Sequence, residues 1–430
     1  SIFGKLPLAT VMAPAIEYAS KGFRVVNTLA TLILDNIEVI MSDPATAATF
    51  LDDGFPRMEG DLLVQSELAE VLKEISVKGR AGFYEGKYAE AFVKGLAERG
   101  GVLTLDDLAS YEPVLTKPLS GTYRGYDVLS TALPQGGSTL ILGLNILENW
   151  DFSKSEHFSK SAETFQVIAE TQKLITADRY AFVADPLKVD VPVKGLLSKE
   201  YALSRFKSIN MDKLDPPTYR QTAAGKPFDF NSEPEEDAGS EEIDMGGHTT
   251  TLSVIDRDGN AVALTQTLGL FFGSGQTVSG VLFNSAMTNY SYTTANVNLI
   301  GNRKQCRSTI TPTIILKDGN PFLIVGSPGS ARITSTVIEL VVNIIDFGMD
   351  VEMANIAPRF YCQKMEDFLH VESGIEPSVL SKLEAMGHNI KLYEGIDLFF
   401  GGAQIIMVDP ATGIYYGSAD KRRGGIVAAY

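Results

Sequence analysis

Two threonines, Thr249 and Thr267, are placed where a β-hairpin would bring their hydroxyls together. The segments TTTLSVID and AVALTQTL are alternating, β-branched runs, and RDGN between them is a strong hairpin signal. A turn centred on Asp258 sets position 249 opposite position 267 in an antiparallel pair. The sequence therefore predicts two hydroxyls side by side at the open end of the hairpin.

The segment before Thr249 indicates how this threonine would gain a base. Residues 233–247, EPEEDAGSEEIDMGG, are acidic and loop-like, which by itself indicates a solvated loop but here also suits a mobile arm leading to a processing site. A threonine hydroxyl needs a base, and an N-terminal threonine carries one in its α-amino group, with a pKa of ~8. We predict that the Thr249 hydroxyl attacks the His248 carbonyl and forms an ester by an N-to-O acyl shift. Water then hydrolyses this ester, which cuts the chain before Thr249.

A second hairpin offers groups that would complete such a site. PTIIL and PFLIVG flank the turn KDGN, and a symmetric register sets Thr309 opposite Pro328. Ser308 and Thr309 would then lie beside Gly329 and Ser330.

The turn that contains Gly329 and Ser330 is a candidate oxyanion hole. GSPGSARI ends a strand and enters a helix at Ala331, so free backbone N–H groups at this junction favour negative charge. The segment lacks the GK[ST] ending of a phosphate-binding P-loop.

The rest of the chain predicts the elements that position these groups. AQIIMV and GIYYGS flank a third turn, TYRGYDVLST resembles a strand, and residues 1–110 are mainly helical in pattern. This mixture of strands and helices indicates layered sheets covered by helices, an α+β class. Helical patterns cover Leu62–Ser76, Tyr88–Ala97, 139–150, 160–183, Thr334–Phe347 and Pro377–Met386, and Thr104 with Asp107 forms a plausible N-cap pair.

Composition excludes several other classes of function. The 430 residues are 44% hydrophobic, enough for a large core, and the net charge of -16 disfavours nucleic-acid binding. No apolar run reaches the length of a membrane span, and the four histidines and two cysteines form no metal-ligand spacing. We expect no cofactor and no metal.

Matches in order along nearly the whole chain carry a family resemblance. GHTTTLSVIDRDGNAVALTQTLGLFFGSG, FYEGKYAEAFVKG, GGVLTLDDLASYEP, ADRYAFVADP, PTIILKDGNPFLIVGSPGSARI and SADKRRGG resemble the γ-glutamyltransferases. The resemblance implies a four-layer αββα fold of the N-terminal-nucleophile (Ntn) hydrolases. It also implies one intertwined domain cut into two associated fragments, residues 1–248 and 249–430.

The resemblance also assigns roles to the residues of the two hairpins. Thr249 matches the family's nucleophile, and Thr267 matches the second threonine that supports it. Gly329 and Ser330 match the backbone oxyanion hole, where the family usually has Gly-Gly and where a serine still supplies an N–H.

Substrate binding is where this sequence departs from the family. Ser308 and Thr309 match a Ser-Ser pair that helps hold the α-carboxylate of the acyl donor. An asparagine, a Gln or Glu, and an aspartate of the family are here Gly269, Ala286 and Asn289. Asn289 stays a candidate substrate-binding residue, but a lost charge-assisted hydrogen bond to an ammonium group is worth about 1.5–3 kcal/mol. The reaction type is therefore better defined than the substrate.

Three hypotheses remain for the function. The first is a self-processing hydrolase or transferase that acts on γ-glutamyl amides such as glutathione. The second is a relative that hydrolyses a different amide, and the third is a non-cleaving relative with a binding role. The partners expected are a small-molecule amide and the protein's own two fragments, and further oligomers are possible.

The start of the sequence leaves the compartment open. The family's donor-binding arginine and its first strand match no part of this sequence. The two alternatives are a longer chain in which they come first and a member that has lost them, and we expect the first, because losing strands would expose sheet edges and core. No signal peptide is visible, and both a cytoplasmic and an extracytoplasmic location stay open.

Overall fold

The computed structural model of the chain describes residues 3–231, 249–293 and 296–430. Contacts divide these residues into two compact units. The smaller unit comprises residues 3–115 and 268–285, and the larger comprises 116–267 and 286–430, within the described ranges. The predicted cleavage position and its preceding arm, 233–248, lie outside the described residues.

Helices and strands alternate along the described chain. The α-helices are α1 (Leu8–Lys21), α2 (Asn27–Asp35), α3 (Ile37–Met41), α4 (Pro44–Phe50), α5 (Ser66–Lys78), α6 (Ala81–Tyr84), α7 (Gly86–Ala97), α8 (Leu105–Ser110), α9 (Gly137–Leu147), α10 (Ala162–Phe182), α11 (Val193–Leu197), α12 (Lys199–Phe206), α13 (Arg332–Ile345), α14 (Val351–Ile356) and α15 (Pro377–Ala385). The strands are β1 (Phe23–Arg24), β2 (Leu51–Asp52), β3 (Phe55–Pro56), β4 (Leu62–Leu63), β5 (Leu119–Tyr123), β6 (Tyr126–Ser130), β7 (Thr249–Ile255), β8 (Ala261–Thr267), β9 (Thr277–Val278), β10 (Val281–Leu282), β11 (Thr313–Lys317), β12 (Asn320–Gly326), β13 (Phe360–Tyr361), β14 (Leu369–Glu372), β15 (Ile390–Tyr393), β16 (Gln404–Val408) and β17 (Tyr415–Ala419).

The smaller unit is mainly helical, as its sequence predicts. Helix α7 matches the helical pattern predicted over Tyr88–Ala97. The predicted capping box opens α8, where the Thr104 side chain accepts a hydrogen bond from the Asp107 N–H. The helix predicted over Leu62–Ser76 begins only at Ser66, because Leu62 and Leu63 pair with β1. Tertiary pairing here overrides helical periodicity.

The larger unit is built on a six-stranded antiparallel sheet in the order β17-β16-β12-β11-β6-β5. The segment TYRGYDVLST, predicted as one strand, is instead a tight hairpin of β5 and β6. Arg124 and Gly125 both adopt positive φ at its turn, 51° and 77°, the conformation that two-residue hairpin turns require.

One face of this sheet is covered by the buried helices α9, α10 and α13. Leu323 and Val325 of β12 point into the core that these helices fill, together with Val128 and Ile315. The sheet alternation predicts that Gly326 faces the opposite side, where the β7–β8 hairpin lies. The predicted α+β class is therefore present, with helices, sheet and hairpin as successive layers of the described residues.

The outer face of the β7–β8 hairpin is apolar and exposed. Leu252 pairs with Leu264 and Val254 pairs with Val262, and these side chains are 42–52% exposed. The described residues thus leave this face of the hairpin uncovered.

Candidate active site

The hairpin places the two threonines as its sequence predicts. Seven residue pairs join β7 and β8, and the last of them is Thr249 with Thr267. Thr249 is half-buried and Thr267 is exposed. Asp256 sets the turn by accepting hydrogen bonds from the backbone N–H groups of Asp258 and Asn260, each at 2.9 Å. The local sequence is thus sufficient to fix this register.

The hairpin is attached to the six-stranded sheet through close contacts that the sequence did not predict. A Cβ on Gly326 would lie 2.2 Å from Thr251 Oγ1, so only glycine permits this approach. Thr251 Oγ1 lies 3.0 Å from Thr265 Oγ1, and Ser253 Oγ donates to the Gln404 carbonyl at 2.9 Å. The only signal in the sequence was a glycine at the end of a strand.

The turn at Gly329 and Ser330 has the backbone conformation of a strained loop. Gly329 has φ of 136° and Ser330 has φ of 55°, a left-handed conformation that is costly for a non-glycine residue. Within the described chain, the Gly329 N–H donates no hydrogen bond. This geometry agrees with an oxyanion hole, and the assignment of both residues stays a prediction.

Three arginines, of which Arg332 and Arg359 are buried and Arg423 is half-buried, hold the backbone that packs against this turn. Gly401 lies so close that a Cβ on Gly329 would be 3.1 Å from its Cα. The three carbonyls before Gly401 accept hydrogen bonds from arginines at 3.0–3.2 Å: Leu398 from Arg423, Phe399 from Arg332 and Phe400 from Arg359. The position of the turn therefore depends on residues that come from three separate segments.

The closing SADKRRGG motif contributes a buried ion-pair network to the same support. Asp420 accepts from the Ala403 N–H at 3.0 Å and pairs with Arg359 at 2.7 Å. Burial raises the pKa of the Asp420 carboxyl, but the guanidiniums of Arg359 and Arg422 outweigh burial and hold this pKa below its ordinary value. Asp420 is thus an anion in the fold and not a proton donor.

Ser308 and Thr309 do not lie where the hairpin register predicted. Strand β11 begins only at Thr313, and a bulge between Ile315 and Leu316 shifts the pairing by one residue. The predicted pairing of Thr309 with Pro328 is therefore wrong.

A different set of bonds holds this pair beside the helix α9. The Ser308 N–H donates to the Pro134 carbonyl at 3.0 Å, and Ser308 Oγ accepts from the Ile310 N–H at 3.2 Å. Thr309 lines one small cavity together with Ala331, so the structure still brings Thr309 close to the candidate oxyanion turn.

Asn289 is linked to the Ser308–Thr309 segment by a buried asparagine. Asn298 is fully buried, and its Nδ2 donates to the Asn289 carbonyl at 2.6 Å while its Oδ1 accepts from the Arg307 N–H at 2.9 Å. The Arg307 side chain donates to three carbonyls at the end of α10, those of Arg179, Tyr180 and Val183. Sequence reasoning missed both positioning residues, because nothing local marks their partners.

The remaining two positions that depart from the family, Gly269 and Ala286, belong to different units. Ala286 begins a short 3-10 helix that ends at Asn289 in the larger unit. Gly269 lies in the smaller unit with φ of 87°, and a Cβ there would be 2.4 Å from Ser285 Oγ. The local backbone therefore requires glycine at this position.

Comparison with known proteins identifies the family. The gamma-glutamyltranspeptidase family model matches residues 1–430. The glutathione hydrolase proenzyme of Escherichia coli (strain K12) is 38% identical over 434 residues, which cover 98% of this chain and 71% of that relative. The chain belongs to the γ-glutamyltranspeptidase family. It is accordingly a member of a family of enzymes.

Other members of the γ-glutamyltranspeptidase family resemble the chain as well. The acylase ACY 1 proenzyme of Pseudomonas sp. (strain SE83) is 33% identical over 430 residues, covering 99% of this chain and 72% of the relative. The crystal structure of cephalosporin acylase from Bacillus halodurans matches with a TM-score of 0.87 at 28% identity, covering 100% of this chain and 75% of that one. This structural match confirms the predicted Ntn-hydrolase fold. The relatives from Escherichia coli and Pseudomonas sp. are both named proenzymes, which agrees with the predicted self-processing.

The described part of the chain contains neither a metal-binding cluster nor a helix that could span a membrane. Across residues 3–231, 249–293 and 296–430, no group of three or more His, Cys, Asp or Glu side chains is arranged to hold a metal ion. No helix in the same ranges is long and apolar enough to cross a membrane.

Proposed function

We propose that this chain is a self-processing amide hydrolase of the γ-glutamyltranspeptidase family, which uses Thr249 as its nucleophile. The observation that carries the proposal is the cross-strand pair of Thr249 and Thr267 at the open end of a hairpin. Cleavage of the His248–Thr249 peptide would leave Thr249 with a free α-amino group beside its own hydroxyl. The predicted fragments are residues 1–248 and 249–430, and they form a heterodimer.

The reaction follows from the groups around Thr249. Its α-amino group takes the hydroxyl proton, and the oxygen attacks the amide carbonyl of the substrate. The negative charge on the tetrahedral carbonyl oxygen is stabilised by the backbone N–H groups of Gly329 and Ser330. The amine leaves with the proton, and an acyl ester on Thr249 remains. Water or an acceptor amine then attacks this ester, which gives hydrolysis or transfer.

The substrate we propose is a γ-glutamyl amide such as glutathione. The support is the 38% identity to a glutathione hydrolase proenzyme over nearly the whole chain. Ser308, Thr309 and Asn289 would contact the donor. Asn298 links the backbone of Asn289 to that of Arg307, the residue before Ser308. No cofactor takes part in this reaction.

A second candidate is the hydrolysis of an amide without a glutamyl group. Gly269 and Ala286 offer no side-chain hydrogen bond, and Asn289 has no charge with which to hold an ammonium group. The 33% identity to an acylase proenzyme supports the same alternative.

Intact mass after incubation, together with N-terminal sequencing, tests the proposal. We expect two fragments, the smaller beginning Thr-Thr-Thr-Leu, and we expect the Thr249→Ala variant to stay uncut. Thr249→Ser is the matched control, because it keeps a hydroxyl and should cleave. A wild-type chain that stays intact would favour the third hypothesis, an inactive relative with a binding role.

The rates with two anilides then separate the two substrate classes. Hydrolysis of γ-glutamyl-p-nitroanilide well above that of butyryl-p-nitroanilide supports the glutamyl assignment. A preference for the uncharged anilide supports the alternative.

A further inference from the structure

The segment that follows strand β8 belongs to the smaller unit, although β8 itself belongs to the larger one. This segment, Leu268–Ser285, forms a strap that packs with residues 3–115. Both ends of the strap continue directly into the larger unit, because Leu268 follows Thr267 and Ser285 precedes Ala286. A displacement of the strap therefore acts on the backbone next to Thr267.

Hydrogen bonds between its two arms make the strap an irregular hairpin. At its base, the Ser285 N–H donates to the Leu268 carbonyl at 2.7 Å, and Ser285 Oγ accepts from the Leu270 N–H at 2.8 Å. Further along, the Phe283 N–H donates to the Gln276 carbonyl at 2.9 Å, and β9 pairs with β10 at the far end. Because the arms are bonded to each other, a shift at the far end is passed to the base.

A buried carboxylate anchors the strap within the smaller unit. Asp43 is 4% exposed, and its Oδ2 accepts hydrogen bonds from the N–H groups of Thr46 at 3.1 Å and Thr277 at 3.2 Å. Its Oδ1 pairs with Arg99 at 2.7 Å. Burial raises the pKa of Asp43, but the Arg99 guanidinium and the two N–H groups outweigh burial and hold this pKa below its ordinary value. Asp43 is thus an ionised group that joins α4, the turn after α7 and the strap.

Buried hydroxyls and close backbone contacts complete this anchor. Thr46 Oγ1 lies 2.7 Å from both the Gly275 carbonyl oxygen and Thr277 Oγ1, and both threonines are buried. At the tip of the strap, a Cβ on Gly280 would lie only 2.3 Å from the backbone nitrogen of Leu68 in α5. Removing one partner from such a buried set leaves polar groups unsatisfied, so the anchor is sensitive to single substitutions.

We propose that Asp43 is a positioning residue for the reaction at Thr249, and that it acts by fixing the strap and so the place of Thr267. The proposal rests on the proposed function, in which Thr267 supports the nucleophile from the opposite strand. Thr267 is exposed, so burial does little to fix it, whereas the next residue, Leu268, is bonded at the base of the strap. A displacement of about 1 Å at a reacting centre can lower a rate by about 100-fold.

The substitution Asp43→Asn, made in the full chain, tests this role. It keeps the shape of the side chain, but its NH2 group must face either Arg99 or the N–H groups of Thr46 and Thr277. We expect the rate of self-cleavage, and kcat of the cleaved fraction for the better of the two anilides, each to fall about 10-fold or more. Both are measured well below the Tm of the variant. Self-cleavage needs no added substrate, so its slowing cannot come from weaker substrate binding.

The substitution Thr277→Val is a milder test on the strap itself. It removes the hydroxyl that lies 2.7 Å from Thr46 Oγ1, and it keeps the side-chain volume and the N–H that bonds to Asp43. We expect both rates to fall about 2-fold to 5-fold, because one buried hydrogen bond is lost. If Asp43→Asn does not fold, unchanged rates in Thr277→Val overturn the proposal.

The substitution Thr104→Ala is the matched control for the stability of the same unit. It removes the capping box of α8, in which the Thr104 side chain bonds to Asp107, and it should lower the Tm. We expect self-cleavage and kcat to be unchanged. If Thr104→Ala slows both rates as much as Asp43→Asn does for an equal loss of Tm, Asp43 is a structural residue only and the proposal is overturned.

Hydrogen exchange of the strap separates the anchor from the chemistry. In chains that also carry Thr249→Ala, so that none is cut, peptides from Leu268–Ser285 should exchange faster with Asp43→Asn than without it. Faster exchange together with slower reactions supports the proposal. Unchanged exchange, or faster exchange with unchanged rates, overturns it. A wild type that cleaves neither itself nor either anilide refutes the proposed function and with it the positioning role, while the exchange measurement still decides whether Asp43 holds the strap.

Discussion

At the scale of single residues, the candidate site depends on two positions where backbone geometry is decisive. Gly326 permits the hairpin to approach the sheet, and Ser330 adopts a conformation that favours glycine. Neither residue supplies a reacting side chain in the proposed mechanism. Both positions can be tested by substitutions that add or remove only a methyl, hydroxyl or hydroxymethyl group.

Replacing Gly326 with alanine should displace the β7–β8 hairpin. The new methyl group would lie 2.2 Å from Thr251 Oγ1, so the hairpin must move or strain. We expect a loss of about 1–3 kcal/mol in the free energy of unfolding and slower self-cleavage, measured by urea denaturation and by intact mass. Gly4→Ala is the control, because no atom lies within 4 Å of its Cβ position. Unchanged cleavage in Gly326→Ala would show that the hairpin tolerates the shift.

Replacing Ser330 with glycine should preserve catalysis and relieve strain. The N–H stays in place while the left-handed φ of 55° loses its steric cost, so we expect about 1 kcal/mol of added stability. The measurements are kcat and the Tm. Ser330→Ala separates the hydroxyl from the backbone, because it removes the oxygen but keeps the strain. A loss of kcat in both variants would mean that the hydroxyl itself is required.

At the scale of elements, the end of helix α10 sets the position of the Ser308–Thr309 segment. Arg307 is 1% exposed and donates to the carbonyls of Arg179, Tyr180 and Val183. These carbonyls lie in the last turn of the helix and just after it, where the regular helical hydrogen bonds run out. The Arg179 carbonyl also accepts from the Val183 N–H at 3.1 Å.

We predict that Arg307→Leu lowers the free energy of unfolding by about 3 kcal/mol, because hydrogen bonds to a charged group are lost in a buried setting. Urea denaturation measures this loss. Arg257→Leu is the control, because the Arg257 side chain is 95% exposed. Equal stabilities of the two variants would contradict the structural role of Arg307.

A buried histidine joins α10 to the segment after α15 and should make stability depend on pH. His388 lies 2.6 Å from Gln166 Oε1 and 2.9 Å from the Tyr219 hydroxyl. Burial, followed by the nearby Lys173, lowers the pKa of His388 to about 4. In the unfolded chain His388 has its ordinary pKa of ~6.5. Between pH ~4 and pH ~6.5 the unfolded chain therefore binds more protons than the folded chain.

The stability that His388 contributes should therefore be lost as the pH falls from about 6.5 to about 4. The loss attributable to this group is about 3 kcal/mol. His388→Gln removes the titration, so its free energy of unfolding should fall less over this range than that of the wild type. Parallel curves for the two proteins would refute the assignment.

At the scale of the whole molecule, the two fragments made by the predicted cleavage share one sheet and one hydrophobic core. Strand β6 comes before Thr249 and β11 comes after it, and they pair through Val128 with Ile315 and their neighbours. Helices α9 and α10 precede the cut, and α13 follows it, in one hydrophobic core. Each fully buried aliphatic side chain in this core contributes about 1.5–3 kcal/mol.

We predict that the two fragments stay associated after cleavage. Gel filtration without denaturant should give a single peak that contains both, and guanidinium chloride should separate them. The uncut Thr249→Ala variant should elute at the same volume. Separation of the fragments in the absence of denaturant would contradict the shared core.

Local chemistry in the sequence was sufficient for part of this description. The RDGN turn and the alternation around it predicted the pairing of Thr249 with Thr267, and periodicity predicted α10 and α13 closely. These features depend on residues that are near one another in the chain, where turn preferences and side-chain periodicity act directly. The ordered motifs likewise indicated the family and its fold.

The tertiary structure decided what depends on contacts between distant segments. The bulge in β11 moved Ser308 and Thr309 out of the predicted register, and Arg307 anchors them to a helix about 125 residues earlier. Burial, close approach and the pairing of charges are properties of the packed chain, and no local pattern encodes them.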